Sequence, residues 1–491
     1  PARGRWEVTV EVTATAPGAP VAAPPTRELW RPPAVGAGDH RLPALVERAV
    51  ADLGGLLAAD PLAPDDHYLA AGAPWYLTLF GRDSIWAARM ALPLGTELAA
   101  GTLRTLARRQ GTRTDAGTEQ APGKILHEVR VGRSGVEVYY GTVDATPLWV
   151  SLLHDAWRWG LPPAEVRALR PNLEAALGWL RDSAAAGDGL VRYVDRAGRL
   201  ANQGWKDSGD SVQFADGRLA EPPIALCEVQ AYAYEAAVQG AALLDATGGD
   251  GRPWRDWAAA LAGRFRDRFW IEDAAGRYPA IALDGDGRPV DSVTSNIGHL
   301  LGTGLLDAAE TAEVVARLAA PDLDCGVGLR TMSTRSAGFN PLSYHGGSVW
   351  AHDTAIALRG LAAVGTAPAL ETAGSYVRGL LAAGAAFDFR LPELYGGEAT
   401  GDGRLPLPYP AACRPQAWSA AAALVVLTAT LGLAPDVPAG RLALRPLRPS
   451  PVGELTVRGL RVAGEPLDVR LTATGELDVL TAPASLTIES R

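Results

Sequence analysis

Residues 418–434 read Trp418-Ser419-Ala420-Ala421-Ala422-Ala423-Leu424-Val425-Val426-Leu427-Thr428-Ala429-Thr430-Leu431-Gly432-Leu433-Ala434, with Pro415 and Pro435 on either side. The run is short for a bilayer span and is punctuated by proline at both ends, which predicts a buried helix of a globular core. Helical periodicity extends back from it to Leu42, interrupted by loops of Gly, Pro and Asp. The predicted helix cores are 43–59, 83–91, 97–109, 147–159, 164–185, 223–247, 255–269, 294–300, 307–318, 348–363, 370–387 and 416–431. Thr96 before Glu97 and Pro162-Pro163 before Ala164 are local start signals. The helices come in pairs. Six hairpins can close into a toroid with an inner and an outer ring, the (α/α)6 barrel, whose loops at one end converge on a central cavity. A bundle or a superhelical array is the alternative, although no repeat of fixed period shows.

The ends of the chain read as β. Trp6, Val8, Val10 and Val12 alternate with polar residues, the period of a half-buried strand. One strand cannot bury itself, so it either docks on a later β segment or is the remnant of an upstream β domain; the lack of an initiating Met favours the second. Residues 14–41, rich in Pro, Gly and Ala, read as a linker. After Pro435, Leu467, Val469 and Leu471 alternate, followed by Leu477 with Val479 and Leu486 with Ile488. The expected division is 1–41 strand and linker, 42–434 helical catalytic domain, and 435–491 a small C-terminal β appendage.

Composition narrows the function. A net charge of −9 over 491 residues, with no block of like charge, argues against a nucleic-acid groove or an anionic membrane surface as partner. Three scattered cysteines, Cys227, Cys325 and Cys413, are too few for a disulfide framework or zinc cluster and point to a reduced, cytoplasmic setting. The chain has 14 Trp beside 7 Phe and 2 Met. Indole offers a flat apolar face with a polar edge, as a sugar ring does, which hints at carbohydrate.

The polar signals sit in loops. In Trp75-Tyr76-Leu77-Thr78-Leu79-Phe80-Gly81-Arg82-Asp83-Ser84, Asp83 is either an N-cap paired with Arg82, or both bind sugar hydroxyls. His127, Glu128 and Asp144 lie in aromatic surroundings, where a carboxylate must be paired or in contact with a ligand. Glycosidic hydrolysis needs one carboxylic acid kept protonated near neutral pH and a second carboxylate. In Asn202-Gln203-Gly204-Trp205-Lys206-Asp207-Ser208-Gly209-Asp210, Trp205 can raise the pKa of Asp207 by desolvation, whereas Lys206 lowers it if its ammonium faces Asp207. Asp207 and Asp210 read equally well as turn residues. For the second carboxylate, Glu393 between two leucines competes with Glu398. Finally, residues 340–353 carry His345, Trp350, His352 and Asp353. The two histidines lie seven apart, unlike a helical zinc pair, so hydroxyl binding with Trp350 as a stacking wall is preferred over a metal site.

Together the segments resemble the amylo-α-1,6-glucosidase type of glycoside hydrolase, related to the glucosidase half of glycogen debranching enzymes. The likeness rests on Leu79-Phe80-Gly81-Arg82-Asp83-Ser84, Gly123-Lys124-Ile125-Leu126-His127-Glu128, Gly204-Trp205-Lys206-Asp207-Ser208, Ser295-Asn296-Ile297-Gly298-His299-Leu300, Gly328-Leu329-Arg330-Thr331, Ser343-Tyr344-His345-Gly346-Gly347-Ser348-Val349-Trp350 and Leu391-Pro392-Glu393-Leu394, in family order. It implies an (α/α)6 barrel, a general acid at Asp207, a base at Glu393, inversion at the anomeric carbon, no metal or organic cofactor, and a β-sandwich upstream. Ala351 stands where relatives usually have Pro, and Gly346-Gly347 replaces a more polar pair. The expectation is an exo-acting enzyme on an oligosaccharide or small glycoside. An α-glucoside is the first substrate choice, with an α-mannoside, trehalose or glucosylglycerate as alternatives. Trp75, Phe80, Arg82, Asp83, His127, Glu128, Asp144, Trp205, Lys206, His345, Trp350, His352 and Asp353 are the expected sugar contacts. A glycoside phosphorylase, with Arg82 or Arg330 holding phosphate, and a non-catalytic glycan-binding protein are the rivals.

Overall fold

The computed structural model describes Thr9 and residues 21–22, 28–132, 135–194, 200–399 and 405–490. The alternation at Trp6 to Val12 lies, except for Thr9, outside the described residues. Among these residues the chain is mainly helical, with α1 (Arg41–Leu56), α2 (Gly81–Met90), α3 (Glu97–Ala107), α4 (Ala145–Arg158), α5 (Pro163–Ala168), α6 (Arg170–Ala185), α7 (Cys227–Ala246), α8 (Arg252–Phe269), α9 (Ala308–Leu318), α10 (Ala351–Val364), α11 (Ala367–Ala386) and α12 (Ala417–Leu431). No described helix is long and apolar enough to cross a membrane.

Six segments close a circuit. α12 packs on α2, α2 on α4, α4 on α7, α7 on the 3-10 turn Ser295–Leu300, that turn on α10, and α10 back on α12. The remaining helices lie against this circuit: α1 on α12, α3 on α2 and α4, α6 on α4 and α7, α8 on α7, α9 on the 3-10 turn, and α11 on α10. Composition explains which helix goes where. In α12 every residue except Thr428 is buried, as an all-apolar helix requires neighbours on all sides. In α8 only Ala258, Leu261, Ala262, Phe265 and Phe269 are buried, one stripe with arginines opposite, so it covers the circuit from outside. Gly432 ends α12 at φ 57°, and a Cβ there would meet the Arg445 carbonyl oxygen at 1.8 Å.

Three differences from expectation have local causes. The single helix expected over 164–185 divides at Leu169 into α5 and α6, because Pro171 has no N–H for the ladder and its ring collides with the carbonyl four residues back. The helix expected from residue 223 starts only at Cys227. Pro222-Pro223 favours extended backbone before it, and Ala225–Leu226 pairs with Ala282–Leu283. The segment 294–300 is a 3-10 turn rather than an α-helix.

The linker reading of 14–41 fails at Ala34–Ala37, which pairs antiparallel with Leu455–Val462. That four-stranded sheet continues through Glu465–Leu471 to Leu477–Thr481. Leu467, Val469 and Leu471 are fully buried, as their alternation predicts. A second sheet of Leu433–Asp436, Arg441–Leu444 and Thr487–Ser490 completes the C-terminal β region.

Candidate active site

A cavity of about 190 Å³ opens where the first turns of α2, α10 and α12 meet. Tyr76, Phe80, Arg82 and Asp83 reach it from the start of α2, His127 and Glu128 from the following hairpin, and Leu200, Trp205 and Asp207 from the loop before α7. Tyr344, His345 and Trp350 precede α10, Glu393 follows α11, and Gln416 and Trp418 open α12.

Short backbone pairings hold these segments together. The Gly81 N–H donates to the His127 carbonyl at 2.8 Å, and a Cβ on Gly81 would sit 2.1 Å from the Leu126 carbonyl oxygen. Only glycine therefore permits the approach that sets Arg82 and Asp83 beside His127. Val349–Trp350 pairs antiparallel with Leu394–Tyr395, placing Trp350 opposite Leu394 and next to Glu393. The Asp207 loop is tied from within. Ser211 Oγ donates to the Lys206 carbonyl at 2.6 Å, Asn202 Nδ2 donates to the Ser208 carbonyl at 2.7 Å, and Ser208 Oγ lies 2.9 Å from His345 Nδ1.

The two carboxyl groups of interest share this cavity in unlike environments. Asp207 is pushed up to about 6 by burial, opposed by the Arg82 guanidinium, whose Nη1 lies 3.8 Å from Oδ2. Lys206 does not counter this. Its Nζ donates to the Thr331 carbonyl at 2.5 Å, on the opposite side of the loop. Glu393 accepts from the Tyr344 hydroxyl at 2.6 Å and from the Cys413 N–H at 2.9 Å. Burial raises its pKa and these two donors oppose the rise. One carboxyl is thus biased toward its protonated form, while the other has donors aimed at its anion. Asp83 is pushed up to about 8 by burial, against Arg82, and so is largely a neutral carboxyl near pH 7.

Several lining groups are not matched by the protein. Trp205 Nε1, Trp418 Nε1, His127 Nδ1 and His345 Nε2 are buried without a hydrogen-bond partner. Unmatched buried polar atoms are unfavourable, so their convergence on one cavity suits a ligand rich in hydroxyls. Burial keeps His127 and His345 neutral, able to accept as well as donate. Trp205 stands edge-on to Trp350, and His345 stacks on Trp350 with centroids 4.9 Å apart.

Of the expected contacts, Phe80, Arg82, Asp83, His127, Glu128, Trp205, His345 and Trp350 line the cavity; five do not. Trp75 is 64 % exposed and its indole N–H donates to the Ala411 carbonyl at 2.9 Å. Asp144 is buried in an ion pair with Arg82 Nε at 2.6 Å, the pairing alternative for an acid in apolar surroundings. Lys206 is turned inward and pushed down to about 8 by burial. His352 stacks on Trp418 at 3.7 Å, and Asp353 pairs with His299 Nε2 at 2.7 Å. Asp83 is not an N-cap: α2 begins after Phe80 and Asp83 sits in its first turn. Arg82 pairs with Asp144 instead of Asp83, and Glu128 is ion-paired with Arg130 at the cavity edge. Glu398 does not reach the cavity. Tyr76, Leu200, Tyr344, Gln416 and Trp418 were not among the expected contacts. Tyr344 stands in the quoted 343–350 segment, but nothing local distinguishes its hydroxyl from an ordinary buried tyrosine.

Residues 81–389 match the family model described as the mannosylglycerate hydrolase MGH1-like glycoside hydrolase domain. No curated protein matches the sequence. Among solved structures, the fold is similar to a GH63 mannosylglycerate hydrolase from Thermus thermophilus in complex with Tris, at 17 % identity and TM-score 0.57, over 78 % of this chain and 99 % of that one. It is also similar to a GH78 family rhamnosidase of Bacillus sp. GL1, at 14 % identity and TM-score 0.61, over 94 % of this chain and 43 % of that one. A sialidase is similar at 12 % identity and TM-score 0.66, over 91 % of this chain and 40 % of that one. The chain thus spans less than half the length of the latter two proteins.

Proposed function

The chain belongs to the mannosylglycerate hydrolase MGH1-like glycoside hydrolase family, and on that premise we propose that it hydrolyses a terminal α-linked sugar with inversion, Asp207 as general acid and Glu393 as general base. The closed circuit of inner segments, covered by an outer set, supports reading residues 42–434 as an (α/α)6 barrel. The observation that carries the mechanism is the contrast between the carboxyls. Asp207, held near 6, retains a proton to give to the departing glycosidic oxygen, and its new charge then faces Arg82. Glu393, with Tyr344 and Cys413 donating to its two oxygens, is set to accept a proton from water attacking the opposite face. Asp83, as a neutral acid, both donates to and accepts from sugar hydroxyls.

The cavity volume of about 190 Å³ falls below the roughly 300–1,000 Å³ usual for drug-sized ligands, which favours one enclosed sugar ring. We therefore place small α-mannosides and α-glucosides ahead of branched polymers as substrates. The engagement of both candidate arginines weighs against the phosphorylase reading. Arg82 is engaged with Asp144, and Arg330 donates to the Gly397 and Pro321 carbonyls at 2.5 and 2.7 Å. The test is proton NMR of the sugar as it is released from α-mannosides and α-glucosides with a non-sugar leaving group. The β-anomer forms first under inversion, and first appearance of the α-anomer overturns the water-activating role of Glu393.

Tyr344→Phe removes a donor to the Glu393 anion, so the pKa of Glu393 rises. Because the base works ionised, the acidic limb of kcat/KM moves to higher pH, by about one unit for one hydrogen bond to a charged group. An unmoved acidic limb in the pH profile would separate Tyr344 from the base.

A further inference from the structure

A second cavity, of about 350 Å³, lies at the other end of the inner helices. The last turns of α2, α4, α10 and α12 contribute Met90, Arg158, Ala363 and Ala429 to its wall, while the catalytic cavity uses the first turns of α2 and α12. Arg82 and Arg89, seven residues apart on α2, mark the two sites, about 10 Å apart along the helix. Tyr232 and His299, hydrogen-bonded to each other, stand between the cavities, with His299 stacked on Trp205.

The core of this distal wall is a built polar set. The Arg89 side chain is 2 % accessible; its Nε donates to Asp155 at 3.0 Å and its Nη2 to Glu235 at 3.1 Å, leaving buried Nη1 with no partner. Gln239 donates to Glu235 at 3.0 Å and leaves its own Oε1 buried and unmatched. Trp86, covered on one face by the Arg89 guanidinium at 4.6 Å, and Trp159 supply apolar plates. Gly302 and the small residues Ala363 and Ala429 leave the space open.

Charge selects the ligand. Four arginines, Arg89, Arg158, Arg359 and Arg445, stand against the two carboxylates of Asp155 and Glu235. Four helix C-termini also point here, each equivalent to about half a negative charge, which offsets the arginine excess. The net field therefore favours neither an anion nor a cation. One unmatched donor, one unmatched acceptor and indole plates suit hydroxyl groups on a compact carbon frame.

We propose that the distal cavity is a second ligand site, separate from the catalytic one, that takes a small neutral polyhydroxy compound such as a free monosaccharide or polyol. The test uses the full chain with D-glucose and D-mannose as probes, read by crystallography and by equilibrium binding. Density is expected in the distal cavity with a hydroxyl at Arg89 Nη1. Gln239→Ala is expected to weaken that site about tenfold, the ratio for one lost hydrogen bond. Ala363→Trp, at an exposed position on the cavity wall, is expected to abolish it while leaving turnover unchanged. Sugar density confined to the catalytic cavity, equal affinity in both variants, or occupancy by sulfate with exclusion of both sugars would each overturn the proposal.

Discussion

Asp207→Asn is expected to lower kcat on an unactivated α-glycoside by about 10³- to 10⁴-fold, the upper range for loss of a positioned general acid. The amide keeps the shape of the carboxyl but has no proton to surrender at an accessible pKa. The deficit should shrink for substrates whose leaving group departs without protonation, such as glycosyl fluorides. The pH profile carries an independent check. The acid is competent only when protonated, and burial holds the Asp207 pKa near 6. In the parent enzyme kcat/KM therefore falls as pH rises through about 6, and in the variant this basic limb disappears. Stability should not fall with activity in the variant. Because the folded-state pKa lies above the unfolded value, the group favours folding most at low pH and loses that contribution as pH rises through 6. A neutral amide removes the buried charge, so thermal denaturation at pH 7 should show a melting temperature no lower than the parent's. Near-normal turnover on the unactivated glycoside would remove Asp207 from the acid role.

Replacement of Glu393 should be comparably severe, about 10³-fold or more in kcat, since water attacking without a base must develop charge unassisted. Glu393→Gln preserves bulk and tests the loss alone. Glu393→Ala opens space where Oε1 and Oε2 accepted from Tyr344 and Cys413. Azide, a nucleophile that needs no deprotonation, should restore turnover in the alanine variant and yield the β-glycosyl azide from an α-glycoside. Rescue with retained configuration, or an unimpaired glutamine variant, contradicts the assignment. The two variants should also differ from each other. Under the proposed mechanism, leaving-group ability should rescue the Asp207 variant and an external nucleophile the Glu393 variant, because each residue would serve a different bond.

Much of the helical order is legible in the chain. Eleven of the twelve predicted helix cores coincide with α-helices, because an apolar stripe at helical spacing follows from backbone geometry. The exceptions mark where that logic stops. The segment 294–300 is too short to show whether its turns are α or 3-10. Ala34–Ala37 is a strand only because Leu455–Val462, more than 400 residues later, offers it an edge. Within the site, motifs identify the segments better than the individual side chains. The loop carrying Asp207 stands out by its acids, Trp and glycines, and so does the Tyr344 to Trp350 segment, yet the hydroxyl of Tyr344 carries no mark of its own.

Local sequence determined which stretches coil, which loops gather acids with indoles, and which carboxyl groups are candidates for an acid and a base. Tertiary structure alone decided direction. Lys206 turns toward Thr331 while Asp207 next to it enters the cavity, and Trp75 faces solvent while Tyr76 lines the wall. Asp144 meets Arg82 across 62 residues of chain, which withdraws one carboxylate from the site. The reason is physical. Backbone periodicity depends on neighbours a few residues away, whereas the side a loop residue presents, and hence its desolvation and its partners, depends on segments hundreds of residues distant that exist around it only once the chain has folded.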